Sequence, residues 1–428
     1  MINARGKGKN MSLLKIATYS LDTRWFTAVA ATLMIAFISH LYGCALIVPW
    51  FFIASLAIFI SVAIFKVTQT VLFNKNTLSE LLNPEKTLNL FAIVVAINFA
   101  GVCFSKVFHL HTTACIFWYA AISFWLCISL FSLSTLFLYH KSEDRKIEEI
   151  FHGGWFFITA GTQSTGFLGV IIAEHATRQV MFIQLFSFAL WSIGASLYLI
   201  FMVFIIMRLI FYQFRINTAL SPYWMNAGAA GLTALTGATL YQYIYTAGGP
   251  FVDFLPFLKG ISLFFWSVGL WWLPFLVVLA IRKQAYGDEG LVFTVGYWEI
   301  AFTLGLYANS TIQLVELFKG QYLDIASMCF SIACIALWCF SSVFTIVHLV
   351  RSSIWVPVND LTLNYVIPYS FKLRGRLFNV KEVVNEWLDQ TIQGVLKKRY
   401  CVVTTDNLTC LISYDISAKK WYFDQVKD

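Results

Sequence analysis

Long apolar runs without charge constrain the fold of this chain more than any other feature of its sequence. The runs at 45–65, 110–139 and 261–281 contain no Lys, Arg, Asp or Glu. Each is long enough to cross the ~30 Å hydrocarbon core of a bilayer as an α-helix. Charged residues make up 12% of the chain, about half of the fraction that is usual for a soluble domain. The sequence therefore predicts a polytopic membrane protein.

The distribution of basic residues predicts the orientation of the chain. If the N-terminus is cytoplasmic, 26 of the 30 Lys and Arg residues lie on the cytoplasmic side, as the positive-inside rule requires. Both termini are then cytoplasmic, in the plasma membrane or, in a bacterium, the inner membrane. The charges are spread over many loops, so anionic lipid is an expected partner and nucleic acid is not. Ten spans are predicted, at 25–42, 45–65, 88–106, 112–139, 154–173, 179–207, 222–244, 256–281, 292–313 and 323–350.

The composition changes after the last predicted span. Asn379 followed by Glu382 resembles a helix N-cap pair, and apolar residues then recur at helical spacing up to Val395. The apolar runs "YCVVTT" and "LTCLISY" flank Asp406–Asn407, a two-residue hairpin turn, and "KWYF" is a candidate third strand. These patterns predict a small α+β module. The predicted domains are a cytoplasmic N-terminus at 1–24, a transmembrane domain at 25–350 and a cytoplasmic tail module at 351–428.

A repeat is visible in the odd-numbered spans, each of which opens on an aromatic or apolar pair. The second members of successive pairs are 65, 65, 68 and 74 residues apart, which is the length of two helices and two loops. Five helical hairpins in tandem, all in one orientation, are the simplest interpretation. The pairs are Trp25-Phe26, Leu90-Phe91, Trp155-Phe156, Tyr223-Trp224 and Tyr297-Trp298.

The odd and even spans differ in the residues that they carry. Odd spans contain small and polar residues, as in "TAGTQSTGFLG" and "NAGAAGLTALTGATL", whereas even spans such as "FFIASLAIFISVAIF" are uniformly apolar. Small residues allow close helix packing, and amides and hydroxyls need partners away from lipid. We therefore expect an inner ring of odd spans and an outer ring of even spans. Five inner helices around one axis would leave a pore; the alternative is a solid bundle.

Alignment of the five repeats isolates one bulky residue. Four residues after the second member of each pair stand Ala30, Val95, Ala160, Gly228 and Phe302. A single phenylalanine at a level where the other repeats have smaller residues is the pattern of a hydrophobic constriction. The alternative is an ordinary core residue, because the chain has 41 phenylalanines.

Four segments resemble one known family of transport proteins. "YWEIAFTLGLYANST" is similar to the ninth-helix signature of the tellurite-resistance/dicarboxylate transporter family, in which an aromatic-Trp pair precedes Phe-Pro-Leu-Gly-Met-Tyr. "PYWMNAGAAGLTALTG", "LFFWSVGLWWLPFLVVLAIRK" and "TAGTQSTG" resemble its seventh, eighth and fifth helices. The family includes malic-acid permeases, sulfite efflux pumps, the tellurite-resistance channel and the slow anion channels of guard cells.

The resemblance implies ten helices in quasi-fivefold symmetry, a pore on the axis and often a homotrimer. It also implies anion flux gated by a pore phenylalanine on the ninth helix, which corresponds to Phe302. The sequence departs from the family at Thr303, where the family usually has proline. A threonine restores the backbone N–H and straightens the ninth helix locally.

An anion path needs positive partial charge, and the predicted spans have no Lys or Arg near their centres. Hydroxyl and amide groups of the inner spans are therefore the candidate pore-lining groups. For each of them the alternative is a hydrogen bond that packs two helices together. The candidates are Asn98, Thr159, Gln163, Thr165, Asn226, Thr233, Thr236 and Asn309.

Glu299 is an acid in an apolar run, three residues before Phe302 and on the same helical face. No basic residue lies within the nearest dozen positions on either side. Burial of an unpaired carboxylate is costly, so such a group is paired, protonated or functional. A protonatable group beside the gate would couple flux to pH. The alternative is a structural hydrogen bond to an adjacent helix.

The sequence therefore predicts a channel or transporter for small anions, with no cofactor and no metal site. The alternative is a membrane-anchored sensor that acts through its tail module. An enzyme is not expected, because no acidic pair or nucleophile–base cluster is visible and the histidines are scattered. Malate, sulfite, nitrate, chloride and tellurite all remain open as substrates. The seven histidines are His40, His109, His111, His140, His152, His175 and His348.

Overall fold

The structure is a computed structural model in which the chain divides into two compact units, Met1–Arg351 and Ser352–Asp428. Each unit is described by itself. The described residues are 22–72, 81, 84–139, 152–211, 221–286, 294–354, 370–373, 376–390, 396–405, 409–415 and 420–427.

Ten long α-helices make up the described part of the first unit. Short 3₁₀ helices at Thr23–Trp25, Leu88–Leu90 and Gly153–Trp155 lead directly into three of them, and a fourth lies at Val252–Phe254. A single helical turn lies at Pro84–Thr87. The long helices are α1 (Phe26–Leu41), α2 (Val48–Leu72), α3 (Phe91–Lys106), α4 (His111–Tyr139), α5 (Phe156–Ala173), α6 (Val180–Phe211), α7 (Ser221–Ala247), α8 (Leu255–Tyr286), α9 (Gly296–Phe318) and α10 (Gln321–Ile354).

Among the described residues, eight helical segments are long and apolar enough to cross a membrane by length and composition. The chain is thus a multi-pass membrane protein. The segments correspond to every long helix except α7 and α9. Those two helices have 27 and 23 residues, so they are long enough to span a bilayer.

The odd-numbered helices pack against one another in a closed cycle. Helix α1 contacts α3, α3 contacts α5, α5 contacts α7, α7 contacts α9, and α9 contacts α1. The even-numbered helices α2, α4, α6 and α8 each pack against the odd-numbered helix that precedes them. Helix α10 joins α9 and α1 through side chains: Cys334 Sγ lies 3.3 Å from the Ala301 carbonyl, and Trp338 Nε1 donates to Thr32. This arrangement agrees with the predicted inner and outer sets of helices.

The entrances to α1 and α5 are capped by side chains that precede the 3₁₀ turns. The Asp22 carboxylate accepts from the backbone N–H of Arg24, and His152 Nδ1 accepts from the backbone N–H of Gly154. Such caps satisfy N–H groups that have no partner within a helix. The aromatic pairs of the repeat therefore mark where the inner helices begin.

The described strands of the second unit form a five-stranded antiparallel sheet in the order β1-β2-β3-β4-β5. Its core face includes Tyr400, Val402, Cys410 and Ile412, with Val383 packed against them. The predicted strands around the hairpin and at "KWYF" are present, while Asp406–Asn407 lies outside the described residues. The strands are β1 (Ser370–Leu373), β2 (Arg376–Gln390), β3 (Leu396–Thr404), β4 (Thr409–Asp415) and β5 (Lys420–Lys427).

The predicted helix of the tail is wrong, because its described residues, up to Gln390, form part of the long strand β2. Two register shifts occur in β2, between Val380 and Glu382 and between Val383 and Asn385. Each bulge inserts one extra residue into the strand. The apolar spacing thereby changes from two to three, which imitates a helical period. Because the described elements of this unit are strands, the α+β assignment is corrected to antiparallel β.

Candidate functional site

The level isolated by the repeat alignment lies in the core of the first unit. Ala30, Val95, Ala160 and Phe302 are all buried, with at most 2% of their surface exposed, and Gly228 is buried with them. Phe302 of α9 is the one phenylalanine among these five buried, aligned positions.

Two further phenylalanines adjoin Phe302. The rings of Phe302 and Phe99 meet edge to face with centroids 5.7 Å apart, and Phe99 lies 6.0 Å from Phe167. These three buried rings come from α9, α3 and α5. Phe99 and Phe167 were not predicted from the sequence, although Phe99 stands one helical turn after Val95 and could have been found there.

Thr303, the residue after Phe302, links α9 to α7 by a hydrogen bond. Its hydroxyl donates to the Trp224 carbonyl at 3.1 Å. A Cβ atom on Gly228 would lie 2.8 Å from that same hydroxyl oxygen, so the glycine makes room for the threonine. Helix α9 runs without interruption from Gly296 to Phe318, which agrees with the expected effect of having no proline here.

Several candidate pore-lining residues instead join inner helices to each other. Asn98 Nδ2 of α3 donates to Ser164 at 3.0 Å and to Thr165 at 2.9 Å, both on α5. Thr236 of α7 donates to the carbonyl of Gln163, also on α5, at 3.3 Å. These contacts correspond to the packing alternative.

Other candidates bind outer helices or their own helix. The Gln163 amide donates to the Trp191 carbonyl of α6 at 3.0 Å, and Asn226 accepts from the Tyr198 hydroxyl of α6 at 2.9 Å. Since both partners belong to an outer helix, these two amides are directed away from the centre of the cycle. The Thr233 hydroxyl bonds Ala229 within α7, and Asn309 bonds Gly305 within α9 and Met34 Sδ.

Thr159 differs from these residues. Its hydroxyl is buried and has no hydrogen-bond partner in the part of the chain that the structure describes. It precedes Ala160 by one residue, so it lies beside the level of Phe302. A hydroxyl can donate a hydrogen bond to an anion, and Thr159 is therefore the predicted pore-lining residue with the best-placed free donor.

Glu299 has an ion-pair partner that is distant in sequence. Its Oε1 lies 3.4 Å from Nη1 of Arg24, at the entrance to α1. Arg24 also binds Asp22 with Nη2 to Oδ2 at 2.6 Å, and the Arg24 guanidinium holds the pKa of Asp22 below its usual range against the opposing effect of burial. Oε2 of Glu299 is buried without a partner among the described residues. Only one of the two carboxylate oxygens of Glu299 therefore has a partner among the described residues. Glu299 lies one helical turn before Phe302.

His152 occupies the corresponding entrance of α5. Burial and the positive charges of Arg208 and Arg24 lower the pKa of His152 to about 4, so the ring is neutral at physiological pH. Since Nδ1 accepts the Gly154 N–H at 3.0 Å, the ring proton resides on Nε2. Nε2 is buried and has no partner among the described residues.

Two histidines that are scattered in sequence meet at the other end of the helices. The rings of His111 and His175 stack with centroids 3.8 Å apart, and Ser105 lies 3.1 Å from His111 Nδ1. Lys106 and Glu174 form an ion pair beside them. Sequence spacing gave no signal for this cluster, because its members come from the ends of three different helices.

Buried polar groups and close helix packing inside an apolar shell are typical of a polytopic membrane protein. The sequence pattern of the voltage-dependent anion channel family matches residues 20–346. The chain therefore belongs to this family, which confirms the resemblance to tellurite-resistance/dicarboxylate transporters.

Individual relatives are similar over much of the membrane unit. An uncharacterized transporter of Methanocaldococcus jannaschii is 26% identical over 312 residues, covering 70% of this chain and 85% of its own length. A second transporter of that organism is 26% identical over 318 residues, covering 71% of this chain and 88% of its own. A sulfite efflux pump of Trichophyton rubrum is 26% identical over 168 residues, covering 36% of this chain and 42% of its own.

Proposed function

We propose that the protein passes small anions through a pore enclosed by α1, α3, α5, α7 and α9 in quasi-fivefold arrangement. The observation that carries this proposal is the closed cycle of inner helices, in which the Phe302 ring of α9 is fully buried. All ten long helices, including α7 and α9, cross the membrane in this proposal. Family membership supports anion transport as the activity.

The gate is the Phe302 ring, supported by Phe99 and Phe167. These three residues are at most 2% exposed, so the path is closed at their level. Rotation of the Phe302 ring away from Phe99 opens it, because the four other repeats have small or medium side chains there. Thr159 supplies a hydroxyl donor at the opened level. A hydrophobic constriction of this kind blocks ions without binding them tightly.

Sulfite is the first substrate to test, because a relative carries the name of a sulfite efflux pump. Malate tests the dicarboxylate class, and nitrate and chloride test inorganic anions. The hydrogen-bond donors of the inner helices near Phe302 are neutral groups and not Lys or Arg side chains. A singly charged or compact anion is therefore favoured over an anion whose binding would require a positively charged side chain.

The experiment is anion flux in proteoliposomes that contain the purified full-length chain. Sulfite, malate, nitrate and chloride are loaded separately, and efflux is normalised to inserted protein. The proposal expects flux of at least one of these anions well above empty liposomes, with no flux of a matched cation. Absence of flux for all four anions, from protein that remains folded, would contradict it.

We also propose that Glu299 couples flux to pH. The groups that face its carboxyl are Arg24, which attracts its charge, and Asp22, which repels it. Proton exchange at Glu299 changes the ion pair with Arg24, and α9 transmits that change to Phe302 one turn later. The structural alternative, a pair that only holds α1 to α9, is distinguished by the pH series described below.

The proposed orientation places both termini in the cytoplasm and the loop after α1 outside. Cys44 lies in that loop and is exposed, so it is a native probe of the outer face. A membrane-impermeant maleimide should label Cys44 in intact cells, and Cys44→Ala should remove that signal. Labelling that requires permeabilised cells would contradict the orientation. A homotrimer is proposed from the family resemblance, and the mass of the detergent-solubilised protein tests it.

A further inference from the structure

Two stacked histidines join neighbouring helical hairpins at the end of the bundle where α3 and α5 finish. His111 is the first residue of α4, and His175 follows the last residue of α5 by two positions. Their ring centroids are 3.8 Å apart, and the two ring planes differ by 26°. His111 is half-buried and His175 is exposed. Because histidine changes its charge between pH 5 and 8, this contact can respond to the pH of the adjoining solution.

Polar and charged groups of α3 and α5 surround the stacked rings. Ser105 of α3 lies 3.1 Å from Nδ1 of His111. The carboxylate of Glu174 forms an ion pair with Lys106, and its Oε2 atom lies 3.9 Å from Nε2 of His175. We call these five residues the histidine clasp. The other titratable groups that interact electrostatically with it are His109, which precedes α4, and Tyr243 of α7.

Protonation of both rings makes the stack unfavourable. Two positive charges 3.8 Å apart repel each other by more than the thermal energy, even in bulk water. A protonated His175 also competes with Lys106 for the carboxylate of Glu174, so the ion pair between α3 and α5 is weakened as well. The described residues contain no group of three or more His, Cys, Asp or Glu side chains that could hold a metal ion. The chemistry of the clasp therefore suits protons.

The two helices that the clasp holds together also carry the rings beside Phe302. Phe99 of α3 and Phe167 of α5 lie 6.0 Å apart, and Phe99 contacts Phe302 at 5.7 Å. Lys106 and Glu174 each stand seven residues after one of these two rings. Seven residues are two helical turns, or about 10 Å, so the ion pair lies beyond the ring contact on the same faces of the same helices.

Close packing connects the two levels. A Cβ atom on Gly101 of α3 would lie 2.5 Å from the side chain of Leu168 on α5. Gly101 and Leu168 stand between the clasp and the rings in the sequences of their helices. Since such tightly packed segments transmit displacement, separation of the helix ends changes the distance between Phe99 and Phe167.

We propose that His111 and His175 form a pH-sensitive clasp, which holds the ends of α3 and α5 together at neutral pH and releases them in acid. Release draws Phe99 away from Phe167, removes support from the Phe302 ring and increases anion flux. The effect on flux rests on the proposed function, whereas the release itself does not depend on flux.

The test compares one substitution within the stack with one beside it. His175→Phe keeps an aromatic ring that can stack on His111 but cannot be protonated, so the two rings never carry two charges. The matched control is His109→Asn. His109 is exposed, its ring centroid lies 6.3 Å from that of His111, and its φ is 55°, which asparagine tolerates. Thermal melts in detergent show whether both variants are folded.

The distance across the clasp is measured between spin labels on the exposed positions Thr112 and Thr177. They are introduced as Thr112→Cys and Thr177→Cys, with alanine in place of Cys44, Cys115, Cys127, Cys329 and Cys339, the native cysteines of the described region that are at least partly exposed. The distance should be longer at about pH 5 than at about pH 7.5 with the native clasp and with His109→Asn, and unchanged by pH with His175→Phe. Equal distances at both pH values, or the same lengthening with His175→Phe, would overturn the proposal.

Flux then separates the clasp from the proposed function. Nitrate is the probe, because its charge is the same at both pH values. The ratio of flux at about pH 5 to flux at about pH 7.5 should be about fivefold larger in the wild type than in His175→Phe. Any pH response of Glu299 is common to both proteins and cancels in this comparison.

The possible results differ for the two claims. Acid-induced separation in a protein that passes none of the tested anions keeps the clasp and overturns the proposed function. Nitrate flux whose pH ratio is equal in the wild type and His175→Phe overturns control of flux by the clasp and leaves the proposed function standing.

Discussion

The inner and outer helices of the membrane unit differ in how they are covered. The most apolar windows of α1, α3 and α5 are 78%, 72% and 100% buried, whereas those of the five even-numbered helices are between 17% and 28% buried. All of these helices are apolar and long. Their difference lies in small residues, which allow close approach, and in polar groups, which must find partners in the absence of water.

The hydrogen bonds of the two sets show the same difference. Hydroxyls on the outer helices, such as those of Ser61, Thr68 and Ser123, bond a carbonyl one turn earlier in their own helix. Asn98 and Thr303 on the inner helices bond residues of a neighbouring inner helix. These exposed outer hydroxyls are therefore satisfied within their own helix, whereas Asn98 and Thr303 link neighbouring inner helices. Substitutions inside should consequently have much larger effects than matched substitutions outside.

The largest difference is expected between two glycines. A Cβ atom on Gly153 would lie 2.3 Å from backbone atoms of Pro222, whereas one on Gly260 of α8 would meet nothing within 4 Å. Gly153→Ala should destabilise the protein by about 3 kcal/mol, because backbone must move to admit the methyl group. Gly260→Ala should be neutral or stabilising. Thermal melts of the two variants in detergent measure this, and equal melting temperatures would refute the contrast.

A smaller difference is expected between two polar residues. Asn98→Leu removes the donors to Ser164 and Thr165 and should cost about 1–2 kcal/mol. Ser123→Ala removes a hydroxyl that bonds only the Tyr119 carbonyl in an exposed position, so it should leave the melting temperature unchanged. A Ser123→Ala effect as large as that of Asn98→Leu would mean that inner and outer polar groups are equivalent.

Glu299 allows the comparison between inner and outer helices to be tested through the pH dependence of flux. Glu299→Gln preserves size and can still bind Arg24 but cannot ionise, so it should flatten the pH dependence of flux. The measurement is flux across a pH series, wild type against Glu299→Gln, normalised to inserted protein. A profile with the same midpoint and amplitude in both proteins would make Glu299 a packing residue like Asn98.

A pH-dependent effect on stability is expected at the entrance of α5. The pKa of His152 is lowered to about 4, while in the unfolded chain it is about 6.5. Between these values the unfolded state binds a proton that the folded state does not, so stability should fall as the pH drops from 6.5 towards 4. His152→Asn should remove that part of the loss. Melting curves at several pH values would show it, and an unchanged slope would contradict the assignment.

The membrane class and the odd–even division were predictable because they depend on composition and on a repeat. The partner of Glu299 was not, because Arg24 is 275 residues away and only the meeting of α1 and α9 joins them. The inner amides were predicted as pore-lining, but their partners depend on which way each helix faces, and Gln163 and Asn226 face α6. The tail strand β2 was misread because two bulges altered its apolar spacing.

Phe302 provides the most direct test of an anion path inside the cycle. Phe302→Ala removes a fully buried ring at the level of small residues, whereas Phe124→Ala removes a ring that is 49% exposed on the outer helix α4. Sulfite and chloride efflux from proteoliposomes should rise severalfold in Phe302→Ala and stay at the wild-type rate in Phe124→Ala, in proteins inserted equally well. Unchanged flux in a folded, inserted Phe302→Ala protein would contradict a gated path through the inner helices.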